Sequence, residues 1–171
     1  MKDLHSLYTS IHEQVRTVVG DHGFLIALYD EKTNSISVPY LFEDGRFSSV
    51  DTFSLGEGLT SILIRTREPL MLVEDTMRRA TAMGAKIAGK PAQSWMGVPL
   101  LAQGEPIGAI IVQDLEAEHA FDDNDLQFVT LIANQVSSSI YNIRVLEQSR
   151  QTAVQFETAA EIARDISSSL D

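Results

Sequence analysis

The chain has 171 residues, 44% of them hydrophobic, with a net charge of −11 and no cysteine. That length and apolar content suffice for one domain core plus an appended element. Without cysteine there are no thiol nucleophiles, thiolate metal sites, disulfides or thioether-attached cofactors. The acidic balance argues against nucleic acid and anionic membrane as partners, and no apolar run approaches the roughly 20 residues that span a bilayer.

The opening, MKDLHSLYTSIHEQV, is amphipathic and lacks the apolar centre of a signal peptide. Together with the absence of cysteine, which fits a reducing compartment, this gives the expectation of a cytoplasmic protein. Leu4, Leu7, Ile11, Val15 and Val18 recur at three- and four-residue steps, which predicts a helix ended by Gly20-Asp21-His22-Gly23. FLIALYD (24–30) is apolar on both faces and reads as a central strand. SISVPYL (35–41) alternates and holds Pro39, so it reads as an edge strand paired with the first.

A short strand is expected near Val50–Phe53, a short helix from Leu59 to Arg67 and a strand over Pro69–Val73. Asp75 or Thr76 can cap the next helix, and residues 76–90 read as a short helix plus a mobile loop. SWMGVPLL and IGAIIVQD form a second hairpin, turning at Gln103–Pro106. In its first strand Ser94, Met96 and Val98 share one face, while Trp95, Gly97 and Pro99 share the other. Either face can line a pocket, the first with a hydroxyl and a thioether, the second with an aromatic platform.

A final helix, capped by Asp122 or Asp123, carries Val129, Ile132, Val136, Ile140, Ile143 and Leu146, and its rhythm continues through Ala153, Phe156, Ala160, Ala163, Ile166 and Leu170. About 45 residues of helix would reach about 65 Å, more than a small domain needs. The pattern predicts a coiled coil or connector; a break near Ser149 is the alternative.

The words Gly56-Glu57-Gly58-Leu59, Glu68-Pro69-Leu70 with Asp75, Ser94 to Leu100, Ile107-Gly108-Ala109, and Phe121 with Asp125 stand in an order and spacing that resembles the GAF domain of signalling proteins. The similarity covers residues 4 to 146. It implies an α+β, PAS-like fold: a central antiparallel sheet of about five to six strands, with the terminal helices on one face. Short helices and loops would cover a ligand pocket on the other. The expected organisation is a domain over 1–146 and a connector helix over 147–171. The tail, QFETAAEIARDISSSLD, resembles the opening helix of another such domain, as in a tandem receptor.

By this resemblance the pocket is expected to involve Phe53, Asp75, Ser94, Trp95 and Met96, and a homodimer to form through the terminal helices, with Val136, Ile140, Ile143 and Leu146 as its seam. The implied function is a non-catalytic small-molecule sensor relaying through its last helix to a kinase, cyclase or regulator, as in two-component systems. The alternative is a dimerisation or spacer module with a vestigial pocket.

Specific chemistries narrow this further. One branch that resembles this family reduces methionine sulfoxide with cysteine thiols, and a covalent bilin also needs cysteine, so both are excluded. No nucleophile elbow marks a serine hydrolase. His5, His12, His22 and His119 show no metal-ligand spacing, and no catalytic, haem or metal site is expected. Cyclic-nucleotide readers of the family carry Asn-Lys, Phe and Asp-Glu; the matching positions here are Asp114-Leu115, Phe121 and Asp125-Leu126. The salt bridge between that lysine and aspartate has lost a partner, so no nucleotide cofactor is expected. Gly56-Glu57-Gly58 lacks the lysine of a phosphate loop and reads as a turn needing positive φ. Arg78, Arg79, Lys86 and Lys90 read either as a basic lid or as a solvated face.

Overall fold

A computed structural model describes residues 3–87 and 90–170, with residues 169 and 170 described through the backbone alone. The expected mobile loop within 76–90 therefore includes two residues, 88 and 89, outside the described ones, and the Leu170 side chain lies outside them too.

Helix α1 (Leu4–Val19) starts where the Asp3 carboxylate accepts the Ser6 N–H at 2.8 Å, and ends at Gly20, whose φ of 112° suits only glycine. Its buried residues are Tyr8, Ile11, His12 and Val15, a single 3.6-period face. Val18 falls off that face and is 55% exposed, which corrects its expected place in the stripe.

Strands β1 (Gly23–Asp30) and β2 (Ser35–Glu43) form the first hairpin; β3 (Arg46–Phe47) and β4 (Phe53–Ser54) each pair with one end of β2. Pro39 falls in the interval between those two short partners, where its missing N–H costs no ladder bond. Helix α2 (Leu59–Thr66), strand β5 (Leu70–Leu72) and helix α3 (Thr76–Ala82) follow. Strands β6 (Ser94–Ala102) and β7 (Glu105–Asp114) make the second hairpin. Its two-residue turn, Gln103 at φ 54° and Gly104 at φ 79°, has the double positive φ that matches strand twist.

The sheet order is β3-β2-β1-β7-β6-β5, all antiparallel, with β4 beside β2. Helices α1 and α4 (Asp123–Leu170) cover one face, burying Ile11, Phe24, Ile26, Met96, Val98, Leu100, Ile110, Val112 and Ile140 in one cluster. On the other face α2 packs on β6 and β7, with Leu63 against Trp95 and Ile111. This is the α+β layering expected from the sequence.

The start of α4 is a reciprocal cap. Asp122 accepts the Asp125 N–H at 2.9 Å while Asp125 accepts the Asp122 N–H at 3.0 Å. The helix then runs 48 residues without a break at Ser149. Arg144 fixes where it leaves the domain, donating to the carbonyls of Tyr29 and Ile107 at 3.3 and 3.4 Å. From Val145 to Ser168 every side chain is exposed.

Candidate functional site

The sheet face turned away from the terminal helices is only partly covered, and a cavity of about 710 Å³ lies there. Its floor follows from strand alternation and register. Leu25, Leu41 and Ile111 form one row across β1, β2 and β7. The next row pairs Gly23 with Gln113 and Gln113 with Trp95, with Glu43 on the far side of Gly23. The walls and roof come from the chain between β4 and the first turn of α2, and from Lys86, Ile87, Lys90 and Ala92 before β6.

Trp95 owes its orientation to Gly97. A Cβ at Gly97 would stand 2.5 Å from both the indole Cη2 and Leu63 Cδ1, so the ring lies along its own strand over the glycine, clamped by α2. The same omission of a side chain at Gly23 lets two neighbours meet across β1. The Gln113 amide donates to Glu43 Oε1 at 2.8 Å, and a Cβ on Gly23 would crowd both.

The two halves of the roof are joined at Glu57 and Lys86. The Lys86 N–H donates to the Glu57 carbonyl at 2.9 Å, and the ammonium meets the carboxylate at 2.7 Å. The hydrogen bond from Lys86 holds the Glu57 carboxyl below the usual carboxylate range and raises the lysine in turn. Both side chains are exposed, so the pair itself stabilises little. Gly56 and Gly58 do not have the positive φ expected of this turn. Gly58 is an extended N-cap at φ −74°, and Gly56 gives its N–H to Ser61 Oγ at 3.0 Å. Their small size keeps the roof loop thin at the cavity wall.

Of the five expected pocket residues, the structure brings Phe53 and Trp95 to the cavity. Ser94 and Met96 face the other way, as strand alternation requires once Trp95 faces in. Met96 is fully buried among the terminal helices. Ser94 Oγ donates to the Ala117 carbonyl at 2.8 Å and accepts the Ala120 N–H at 3.1 Å, tying β6 to the loop that enters α4. Asp75 is exposed, at φ 45°; its side chain makes no helix cap and pairs with Arg78 at 2.9 Å. Glu43, Gln113, Leu25, Leu41 and Ile111 line the cavity without having been singled out from sequence. Their signal was continued alternation: residues two apart from Leu41 and Ile111 must share the pocket face.

Arg78 and Arg79 are held by Asp75 and Glu74, while Lys86 and Lys90 line the cavity. His119 is exposed beside Glu74 at 3.4 Å, and His12 is buried in stacking contact with Phe24. Among the described residues no three His, Asp or Glu side chains are grouped to hold a metal ion. Asp114 closes the end of β7. Burial pushes its carboxyl up, but the Ala117 and Glu116 N–H groups and the His22 ring, 3.2 Å away, together hold it below the usual value. Phe121 packs edge-on against His22.

The molecule is thus an α+β domain: an antiparallel sheet with paired terminal helices on one face and a part-roofed cavity on the other. A family model described as GAF domain matches residues 1–140, and the chain belongs to that family. It is similar in fold to the GAF domain of an Acinetobacter phosphoenolpyruvate-protein phosphotransferase (20% identity, 84% of each chain covered, TM-score 0.65). A segment of a methyl-accepting chemotaxis protein, residues 122 to 287, is also similar (22% identity, 83% of this chain and 90% of that one, TM-score 0.68). So is the type II free methionine-R-sulfoxide reductase of Thermoplasma acidophilum (18% identity, 80% and 91% covered, TM-score 0.64). No helix among the described residues is long and apolar enough to cross a membrane.

Proposed function

We propose that this chain is a non-catalytic sensory module: a small molecule binds in the cavity, alters the packing of segment 74–93, and biases α4, which passes the change to an output domain. The supporting observation is the cavity itself, floored by Leu25, Leu41, Ile111 and Trp95 and roofed by a thin irregular segment. Mostly apolar, concave and with few polar groups, it has the composition of a ligand site. The absence of cysteine removes the thiol chemistry that a reductase of this fold would need.

A physical link from cavity to helix is present in the hydrogen bonds around β6. Gln93 binds Thr76 Oγ1 of α3 through its carbonyl and the Asp114 carbonyl through its N–H. Its neighbour Ser94 holds Ala117 and Ala120, just before the Asp122 cap of α4. Roof and helix entry thus share one short stretch of backbone, and a ligand with different affinity for two arrangements of it would shift α4.

The test is a thermal-shift screen of nucleotides, amino acids and aromatic compounds, followed by hydrogen exchange with any hit. A true ligand stabilises by about 2.7 kcal/mol at 100 times its Kd, and should slow exchange in segment 86–93 and change it in the first half of α4. No shift across the screen defeats the sensing reading; binding without any change in α4 defeats the relay.

A second reading, a dimerising spacer, is favoured by the exposed apolar side chains along the second half of α4, among them Leu146, Val154, Phe156 and Ile162. Of the four expected seam residues Ile140 is buried in the domain's own core, Val136 packs against that core and Ile143 is half-buried, so Leu146 is the one left exposed. Light scattering on Leu146→Glu with Phe156→Glu should give a monomer if this helix pairs in parallel; an unchanged mass removes the seam.

A further inference from the structure

We infer that the cavity selects ligands bearing a nitrogen group rich in N–H donors — a primary ammonium, amidinium or guanidinium — on an apolar body, and that Glu43 and Gln113 are the residues that select it. The inference rests on the sensing reading and specifies the chemistry of the same site.

Glu43 sets the orientation of the Gln113 amide. A carboxylate only accepts hydrogen bonds, so the end of the Gln113 amide that meets Glu43 Oε1 at 2.8 Å is the NH₂. The amide is thereby fixed, with its donor end turned to Glu43 and its oxygen left over. Among the described residues nothing donates to that oxygen, nor to the second oxygen of Glu43. Two neighbouring half-buried groups therefore offer a ligand acceptors, one of them anionic.

The surroundings match that polarity. Trp95 is the direct neighbour of Gln113 in the cross-strand row, and its ring, lying over Gly97 against Leu63, adds apolar wall beside the acceptors. Leu25, Leu41 and Ile111 in the adjoining row receive an apolar body. Glu57, the other acid on the cavity wall, is already matched by Lys86 at 2.7 Å, so Glu43 carries the unmatched negative charge of the lining. A carboxylate or phosphate at this row would meet the Glu43 charge and the Gln113 oxygen against one remaining Gln113 N–H, so it is disfavoured. Lys90 is a cation of the same lining, in the roof, and a ligand that carries an acid as well as the nitrogen group has a partner there.

Tryptamine, benzamidine and indole-3-acetate separate the possibilities, because the first and last share a ring and differ in the charge of the side arm. Calorimetric titration should show tryptamine and benzamidine binding at least about tenfold more tightly than indole-3-acetate. Glu43→Gln should weaken tryptamine by about tenfold, the scale of one lost charged hydrogen bond, and bind indole-3-acetate no more weakly than the parent. Asp44→Asn removes a charge beside Glu43 but outside the cavity lining and should leave tryptamine within about twofold, which separates a specific contact from general attraction to an acidic chain. Gln113→Leu keeps the charge and should weaken benzamidine, with its two donor edges, more than tryptamine. Indole-3-acetate binding as tightly as tryptamine, equal effects of Glu43→Gln and Asp44→Asn, or no binding of either amine overturns the inference. The sensing reading is judged separately, by the broad screen and the response of α4.

Discussion

Strand β6 serves two regions that differ sharply although its residues on both sides are apolar. Met96, Val98 and Leu100 enter a core closed by α1 and α4, in which each is essentially inaccessible. Trp95 and Gly97, one step out of phase, face a layer built from an eight-residue helix and irregular chain, which leaves space. The lesson is that apolarity alone does not decide packing. Two long helices carry enough regular surface to interdigitate with a sheet; short elements joined by loops do not, and what remains is a cavity.

The sharpest way to break this contrast is to delete equivalent volume on each face. Leu100→Ala should cost about 2–5 kcal/mol, because the closed core cannot collapse around the gap. Leu41→Ala on the cavity floor should cost about 1 kcal/mol or less, since its atoms already lack partners on one side. Urea unfolding of both variants measures the difference, and equal losses would show that the two faces are packed alike.

Gly97→Ala probes the place where the loose face is tight. The added methyl has to displace either Leu63 or the Trp95 ring, at about 1–3 kcal/mol. The emission of this single tryptophan should shift as its environment opens. A variant with parental stability and spectrum would mean that the indole does not lie over Gly97.

A smaller effect, confined to the helix face, comes from His12. Its ring stacks on Phe24 at 4.5 Å and its Nδ1 shares a 2.7 Å hydrogen bond with the Tyr40 hydroxyl. Burial, with a lesser contribution from Arg16, holds its pKa below the ordinary 6.5; Glu13 and Asp21 oppose the shift. The folded state therefore binds fewer protons than the unfolded one, and stability should fall as pH drops from about 6.5 towards the folded value and level off below it. His12→Asn should be less stable overall but lose that slope between pH 6.5 and 5. An unchanged slope assigns the acid sensitivity elsewhere. Deep burial on the same face also pushes the Tyr8 phenol up to about 12, and among the described residues its hydroxyl has no partner.

The smallest expected change belongs to the free part of α4. Among the described side chains, ending the chain at Leu146 removes only exposed ones, so unfolding free energy should change by less than about 0.5 kcal/mol at low protein concentration. A larger loss that grows with concentration would reveal self-association through that helix.

Much of the fold was legible because its signals are local. The double positive φ of Gln103-Gly104, the two-sided apolarity of 24–30 and 107–112, and the Asp122 cap each depend on a few adjacent residues. The site was less legible because it depends on register between distant strands. Nothing near Glu43 in the sequence says that it reaches Gln113, 70 positions on; that follows from Gly23 lying between them. Ser94 and Trp95 could not be assigned to faces until the longer helices had taken one side. Asp75 was expected at the pocket from its motif, but its left-handed backbone and Arg78 hold it at the surface. Gly56 and Gly58 were read for conformational freedom, whereas the thin loop they form uses their size.

The reciprocal Asp122–Asp125 cap and the Arg144 clasp hold α4 to the sheet at two separated points, and beyond the second the rod is free. The stretch from Glu147 to Leu170 projects about 35 Å. A tilt of about 5° at the clasp therefore displaces its far end by about 3 Å, roughly half a helical turn. Leverage of this kind allows a repacking too small to disturb the core to arrive at the tip as a change of register.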